Sequence, residues 1–246
     1  RLRCRFLVDE ERTRDFIRVL RRRALPKFIT EDRIHEAQAF VRTCILSLYA
    51  DRYLPSQAVA QRRLRERGCP ECAIQALLPL CARDPETFRV LPPISREQPL
   101  ILLVEEPSWF QGFVDIADPQ DPYSEEAWDA FIEHVRASCA EKPLPSNTYA
   151  AALQLRLCGP SVLSTYPLGD IEHMVCLAFT ARKLLTHHAD TLRPCGRAIA
   201  RQQRGAAPQP AAAQAIPAAP KPLSPIARAA VGPPEPPAAP EPPPRR

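Results

Sequence analysis

The sequence is poor in glycine, with seven in 246 residues. A phosphate cradle built from backbone N–H groups needs glycines at fixed spacings, and no such run occurs. Long apolar runs are also missing. Nothing approaches the roughly 18 residues that a membrane helix requires, so no membrane span is expected. No internal repeat is visible.

Metal-ligand patterns are just as sparse. Cys69-Pro-Glu-Cys72 is the one CxxC, Cys81 follows nine residues later, and no second CxxC or spaced His pair completes a set. Structural zinc needs four converging ligands. On one continuous helix over 70–82, Cys72 and Cys81 would be about 900° apart and face opposite ways. The βαβ context of a redox CxxC is absent too. No metal and no cofactor is expected.

Catalytic pairs fare no better. His187 and His188 with Asp190, and Glu172 with His173, are read as exposed groups near a helix C-terminus, where positive charge is stabilised. His134 and Cys139 are five residues apart and share no helix face. With no nucleophile–base pair to nominate, the chain is expected not to be an enzyme.

The cysteines number nine, an odd count, and are scattered. Cys44, Cys81 and Cys176 fall on apolar faces of predicted helices. That pattern reads as buried free thiols of the cytoplasm or nucleus rather than a disulfide framework.

What is present starts with a mainly α chain organised around Thr30–Val104. There, three helices and a short β-hairpin follow one another in the order of a winged helix. Thr30 is placed to cap the first, with Ile29 and Ile34 as a hydrophobic staple. Ile34, Ala37, Val41, Cys44, Ile45 and Leu48 form its apolar stripe. Ser56 caps the second over 57–67, and Gly68 suits the position that ends it. Pro70 opens the third over 70–82, which buries Ile74, Leu77, Leu78 and Cys81. Thr87–Leu91 and Leu100–Val104 are the strands.

Around this module the spacing predicts four regions: a basic helix in 1–28, the winged-helix-like module in 29–104, a helical region in 105–204 and a disordered tail in 205–246. The first helix starts at Asp9, with Phe16, Ile17, Val19 and Leu20 as its apolar contacts. Trp109, Phe110 and Phe113 are expected to tuck against the core from an acidic loop. Later helices are predicted after Ser124 (burying Trp128, Phe131, Ile132, Val135 and Cys139), after Ser146 (through Tyr149, Leu153 and Leu157) and after Asp170. The last is expected to run through Ile171, Met174, Val175, Ala178 and Phe179 to Leu185.

Charge is strongly segregated. Residues 1–67 carry 17 Lys/Arg against 9 Asp/Glu, and residues 68–145 carry 5 against 14. These net +8 and −9 blocks imply either two faces of opposite sign or internal neutralisation. Arg14, Arg18, Arg21, Arg22, Arg23, Arg62, Arg63, Arg65 and Arg67 are the candidate phosphate contacts. On the third helix, the groove-reading element of such a module, the non-core positions are Glu71, Cys72, Ala73, Gln75, Ala76, Pro79 and Arg83. Only Gln75 and Arg83 among them suit DNA.

The tail from 205 holds 14 prolines and 13 alanines in 42 residues and no aromatic, too little to bury against its ordering entropy. Pro217, Pro220 and Lys221, then Pro222 and Pro225, have the spacing of polyproline II ligands of SH3- or WW-type domains. Ser224-Pro225 is a candidate proline-directed phosphosite.

The leading expectation is therefore a non-catalytic intracellular interaction or adaptor protein with protein partners. A nucleic-acid-associated regulator using the arginines is the alternative. A processed segment of a larger polyprotein, suggested by the start at Arg1, is a second alternative. Partner identity and oligomeric state are not encoded in any motif.

Overall fold

The computed structural model describes residues 9–26, 29–93, 97–138 and 142–195. The tail positions Pro217, Pro220, Lys221, Pro222, Ser224 and Pro225 lie outside them, as does Cys139.

Helix α1 spans Glu10–Arg22, and the Asp9 carboxylate accepts the Glu11 and Arg12 N–H groups at 3.1 Å. Its acidic first turn and basic last turn both match the helix dipole. Leu20 is buried, but Val19, expected to pack, is 55% exposed. Helix α2, Glu31–Ala50, buries Ile34, Val41, Cys44, Ile45 and Leu48, the stripe its periodicity implies. Thr30 stands at its N-cap without a side-chain cap bond.

Helix α3, Gln57–Glu66, is capped by Ser56, whose Oγ accepts the Val59 N–H. It ends in a Schellman motif: Gly68 donates to Arg65 O at 2.9 Å, and Cys69 donates to Leu64 O at 3.0 Å. Gly68 has φ +72°, a left-handed conformation that suits a residue without Cβ.

The expected third helix is two short ones, α4 (Glu71–Gln75) and α5 (Leu77–Ala82), broken at Ala76. Pro79 is the cause. It has no N–H for the Gln75 carbonyl, and its ring collides with that carbonyl in a continuous helix. Breaking at Ala76 puts Pro79 in the first turn of α5, where no donor is needed.

Strands β1 (Phe88–Leu91) and β2 (Leu100–Leu103) pair antiparallel, with Phe88 opposite Leu103 and Leu91 opposite Leu100. The outer edge of β2 is closed by the chain entering α3: Ile101 donates to Pro55 O at 2.9 Å and Gln57 donates to Pro99 O at 2.8 Å. Three helical segments in the order of a winged helix, the last one broken, thus lead into the hairpin. The chain is mainly α, as its periodicity implies.

Helix α6 covers Glu125–Ser138 and buries Ala127, Trp128, Phe131 and Val135; the Ser124 hydroxyl accepts the Ala127 N–H. Then come β3 (Leu144–Pro145), α7 (Thr148–Cys158), α8 (Ser161–Ser164), α9 (Leu168–Thr180), β4 (Leu185–His188) and β5 (Thr191–Pro194). The last strands form an antiparallel sheet in the order β3-β5-β4.

Several expectations change in this half. Asn147, one residue beyond Ser146, caps α7 by accepting the Ala150 N–H. Leu157 is 74% exposed instead of packed. Asp170 lies inside α9, whose N-cap is Pro167. Leu185 belongs to a strand, because Lys183, at φ +54°, turns the chain out of the helix. Trp109 is 54% exposed, while Phe113 is buried and Phe110 half-buried. One apolar core runs from Leu20 through α2, α5, α6, α7 and α9 to Leu192, so the boundary expected at 104/105 falls inside a single packed body.

Candidate functional site

The densest polar constellation is at the turn after α2. Asp51 caps that helix, and Arg52 follows with φ +59°, a conformation that costs a non-glycine residue. Surroundings hold it there from several sides. The Gly169 N–H donates to Asp51 O at 2.9 Å, and the Val114 N–H donates to Arg52 O at 2.9 Å. A Cβ on Gly169 would lie 2.7 Å from Asp51 O, so the approach of α9 to this turn requires glycine.

Side chains continue the seam. Arg52 Nη1 donates to both Asp170 oxygens at 2.9 Å, and its Nε donates to Gly112 O at 2.9 Å. Asp51 accepts Arg63 Nη2 at 2.7 Å on one oxygen and Arg156 Nη1 on the other. Glu172 accepts the Tyr53 hydroxyl, and Thr148 Oγ1 donates to it at 2.7 Å. Tyr149 donates to Glu66 at 2.6 Å, and the Arg62 guanidinium lies 3.5 Å over the Tyr149 ring.

His173, 3% exposed, closes the set. Its Nε2 is 2.7 Å from Asp118 O, which only accepts, so Nε2 carries a proton. In the neutral ring, Nδ1 then accepts from the Tyr123 hydroxyl at 2.8 Å. Tyr123 has one proton to give, and the 3.4 Å contact with Asp170 is the weaker claim on it. His173 is therefore an interior group, not the exposed one expected.

Burial governs the protonation chemistry. It pushes the Asp170 carboxyl up despite Arg52, and it raises the Tyr53 and Tyr123 hydroxyls well above the ordinary phenol range, with carboxylates adding to the effect. Tyr149 is pushed up to about 12 by burial and Glu66. The Cys176 thiol, only half-buried although expected in the core, rises to about 11 through burial and Glu172. Cys44, Cys69 and Cys81 move in the same direction, burial being the largest cause for each. These shifts run opposite to the activation of a thiol nucleophile.

The remaining candidate groups are dispersed. Cys69 is half-buried, Cys72 exposed and Cys81 fully buried on the other side of the break at Ala76. Among the described residues no three His, Cys, Asp or Glu side chains converge as metal ligands. His187 stacks on Phe179 at 4.7 Å on an exposed strand rather than a helix end. His134 meets Ser138, one turn along α6, at 3.2 Å.

The nine candidate arginines divide. Arg63 is inside, bound to Asp51, to Glu66 at 3.2 Å and to Ser47 at 3.1 Å. Arg62 covers Tyr149, Arg65 grips Glu71 with two bonds of 2.8 and 2.9 Å, and Arg21 donates to Ala82 O at 2.7 Å. Arg18 pairs with Asp15 at the surface. Arg14, Arg22, Arg23 and Arg67 are exposed. Arg83 is occupied as well, donating to the carbonyls of Pro79, Arg21 and Arg23. The structure thus spreads the basic run over α1, which packs on α5 and β1, and α3, which packs on α2 and α4.

The seam residues Asp51 and Arg52 carry no functional reading in the sequence, Asp170 is expected there only as a helix cap, and Glu172 is weighed there only as a neighbour of His173. The available signal is Asp170, Glu172 and His173 standing in the otherwise apolar run Leu168–Ala178.

Two family models match the chain. Residues 22–112 match a domain of unknown function (DUF7602), and residues 141–207 match the OST-HTH Associated domain. No curated protein and no solved structure matches. The Asp51–Arg52 turn lies in the first matched segment and Gly169–His173 in the second, so the seam binds the two together.

Proposed function

We propose that this chain is a non-catalytic interaction protein whose winged-helix-like module docks a protein partner instead of reading DNA. The observation that carries this is the state of α5. All six of its residues, Leu77–Ala82, are buried. A groove-reading helix must offer a row of polar side chains to base edges. This helix has no free face for that, and Gln75 alone stands exposed on the short turn before it besides Glu71 and Cys72.

Two further observations support the reading. The arginines nearest the module's centre are used internally: Arg63 by Asp51 and Glu66, Arg65 by Glu71. The ionisable groups of the seam are turned toward one another and carry raised pKa values where burial dominates, an arrangement that holds a fold together. The name of the second matched family ties such domains to helix-turn-helix modules, and here its matched segment packs against a module of that order. Cytoplasm or nucleus is the compartment that the free, partly exposed thiols suit.

Nucleic-acid contact is the second reading, favoured by the exposure of Arg14, Arg22, Arg23 and Arg67. Titrating the full chain against labelled duplex DNA and RNA at two salt concentrations tests both. Docking through a protein surface predicts weak association with little sequence preference. Tight binding that collapses at the higher salt, and is lost on charge reversal at Arg14, Arg22, Arg23 and Arg67, would overturn it.

A further inference from the structure

The opposite charge blocks are not neutralised inside the fold. Between described residues, one ion pair joins the basic first 67 residues to the acidic stretch 68–145, namely Arg65–Glu71. The other pairs stay within a block or reach into the later segment, as with Arg52–Asp170, Arg156–Asp51 and Arg182 with Asp121 and Glu125. Both signs therefore reach the surface, where Arg18 is paired with Asp15 of its own helix and Arg14 and Arg22 stand exposed on either side of it.

Each charged segment also carries exposed apolar side chains. On α1, Arg14, Arg18 and Arg22 recur every four residues and share one exposed stripe, with Val19 beside it at 55% exposure. On the segment leaving β2, Val104 is 49% and Trp109 54% exposed, flanked by exposed Glu105, Glu106 and Asp115. These account for three of the five large hydrophobic side chains that stand exposed among the described residues.

The acidic surface is a fixed platform. The Phe110 ring packs 4.6 Å from both Tyr49 and Phe113, the Phe110 N–H donates to Pro107 O at 2.9 Å, and Arg52 holds Gly112 O. Trp109 is thus presented from a segment whose neighbours are anchored. Exposed apolar side chains among polar and charged ones are the composition of a protein-docking surface, and aromatic anchors dominate binding at such sites.

We propose that a second copy of this chain is the occupant: the Arg14–Arg18–Arg22 face of one copy, with Val19 at its edge, docks on the Val104–Trp109 platform of another. This rests on the protein-docking reading above. The two surfaces are complementary in charge, and each supplies the exposed apolar side chain that the other lacks a cover for. Such an interface joins different patches, so it closes through a two-fold only if both contacts form at once and otherwise grows head to tail.

The test is sedimentation velocity of nuclease-treated full chain over about two decades of concentration, where association appears by mass action. Concentration-dependent association is expected at about 50 mM salt, weakened at least about tenfold at about 500 mM as the charges are screened. Trp109→Ala abolishes it. So does Glu105→Arg with Glu106→Arg, and so does Arg14→Glu with Arg18→Glu and Arg22→Glu. Mixing the two charge-reversed proteins restores it, because each then meets an opposite face; all these positions are exposed, and circular dichroism confirms the fold.

A chain that stays monomeric throughout at low salt overturns the proposal. Association that ignores Trp109→Ala and both reversals, or that disappears with nuclease alone, overturns it as well. A monomer that also fails to bind nucleic acid leaves the docking reading standing with a different partner, so the two failures are distinguishable.

Discussion

The winged-helix-like module and the seam that joins it to α9 are held by different physics. Inside the module, α2, α3, α5 and the hairpin meet through Val41, Ile45, Leu64, Leu77, Leu80 and Ile101, each 5% exposed or less. At the seam the contacts are Asp51 with the largely buried Arg63 and the exposed Arg156, Arg52 with Asp170, Tyr53 with Glu172 and Tyr123 with His173. Apolar contacts are additive and non-directional. A buried ion pair contributes little net stability, because desolvation offsets most of the attraction, but it penalises every arrangement that leaves one partner alone. The module therefore stabilises the chain, and the seam fixes how its second half is attached.

The largest expected effect breaks the seam from one side. Arg52→Ala leaves the Asp170 carboxylate buried without its cation and should cost about 3–5 kcal/mol in urea unfolding. Replacing both, Arg52→Met with Asp170→Leu, should recover most of that loss. A double variant as unstable as the single one would mean that the pair itself stabilises the fold.

Leu77→Ala breaks the other side of the comparison, with an expected loss of about 2–5 kcal/mol from lost burial and a cavity. Unlike the seam, no second substitution at a distance should rescue it, and differential scanning calorimetry of single and double variants reads this directly.

Gly169→Ala should destabilise by about 1–3 kcal/mol, since the new Cβ must push Asp51 O back from 2.7 Å. Hydrogen exchange at the Gly169 and Val114 amides should rise together, because both donate to the same turn. Independent changes at the two amides would show that the turn does not act as a unit.

The smallest effect concerns Asp121. Burial pushes its carboxyl up, but Arg182, the Trp128 indole N–H and the Tyr123 N–H together pull it below the ordinary 3.8. A lowered folded-state value means that its contribution is present above that ordinary value and is lost as pH falls through the folded one. Wild type should exceed Asp121→Asn by at most about 1 kcal/mol near neutral pH, this being a partly exposed pair, and the two should converge in acid. Stability curves that stay parallel down to pH 2 would contradict this assignment, a limit set by the low pKa that about three hydrogen bonds can give a carboxylate.

Much of the first half of the fold was legible. The caps at Asp9 and Ser56, the stop at Gly68 and the stripe on α2 are local signals, each settled within a few residues. The break at Ala76 was also written in the chain, since Pro79 cannot sit mid-helix, yet the apolar spacing of Ile74, Leu77, Leu78 and Cys81 fits either one helix or two. Trp109 and Val19 were misjudged for another reason. Large apolar residues usually pack, and only the surrounding surface decides which remain outside.

The candidate site was legible in composition alone. The arginines could be counted, but Arg63 and Arg67, four residues apart on adjoining turns, end respectively inside a carboxylate pair and at the surface. His173 gave no sign that Asp118 and Tyr123 would enclose it.

By itself the sequence determined the caps at Asp9, Ser56 and Ser124, the inward stripes of α2 and α6, the pairing strands of the hairpin and the division of charge into blocks. These follow from backbone sterics, caps and periodicity, which act over one or two turns. Tertiary structure alone decided which charges are spent inside and which reach solvent. That choice depends on partners as distant as Arg52 and Asp170, 118 residues apart, and on the water excluded when they meet.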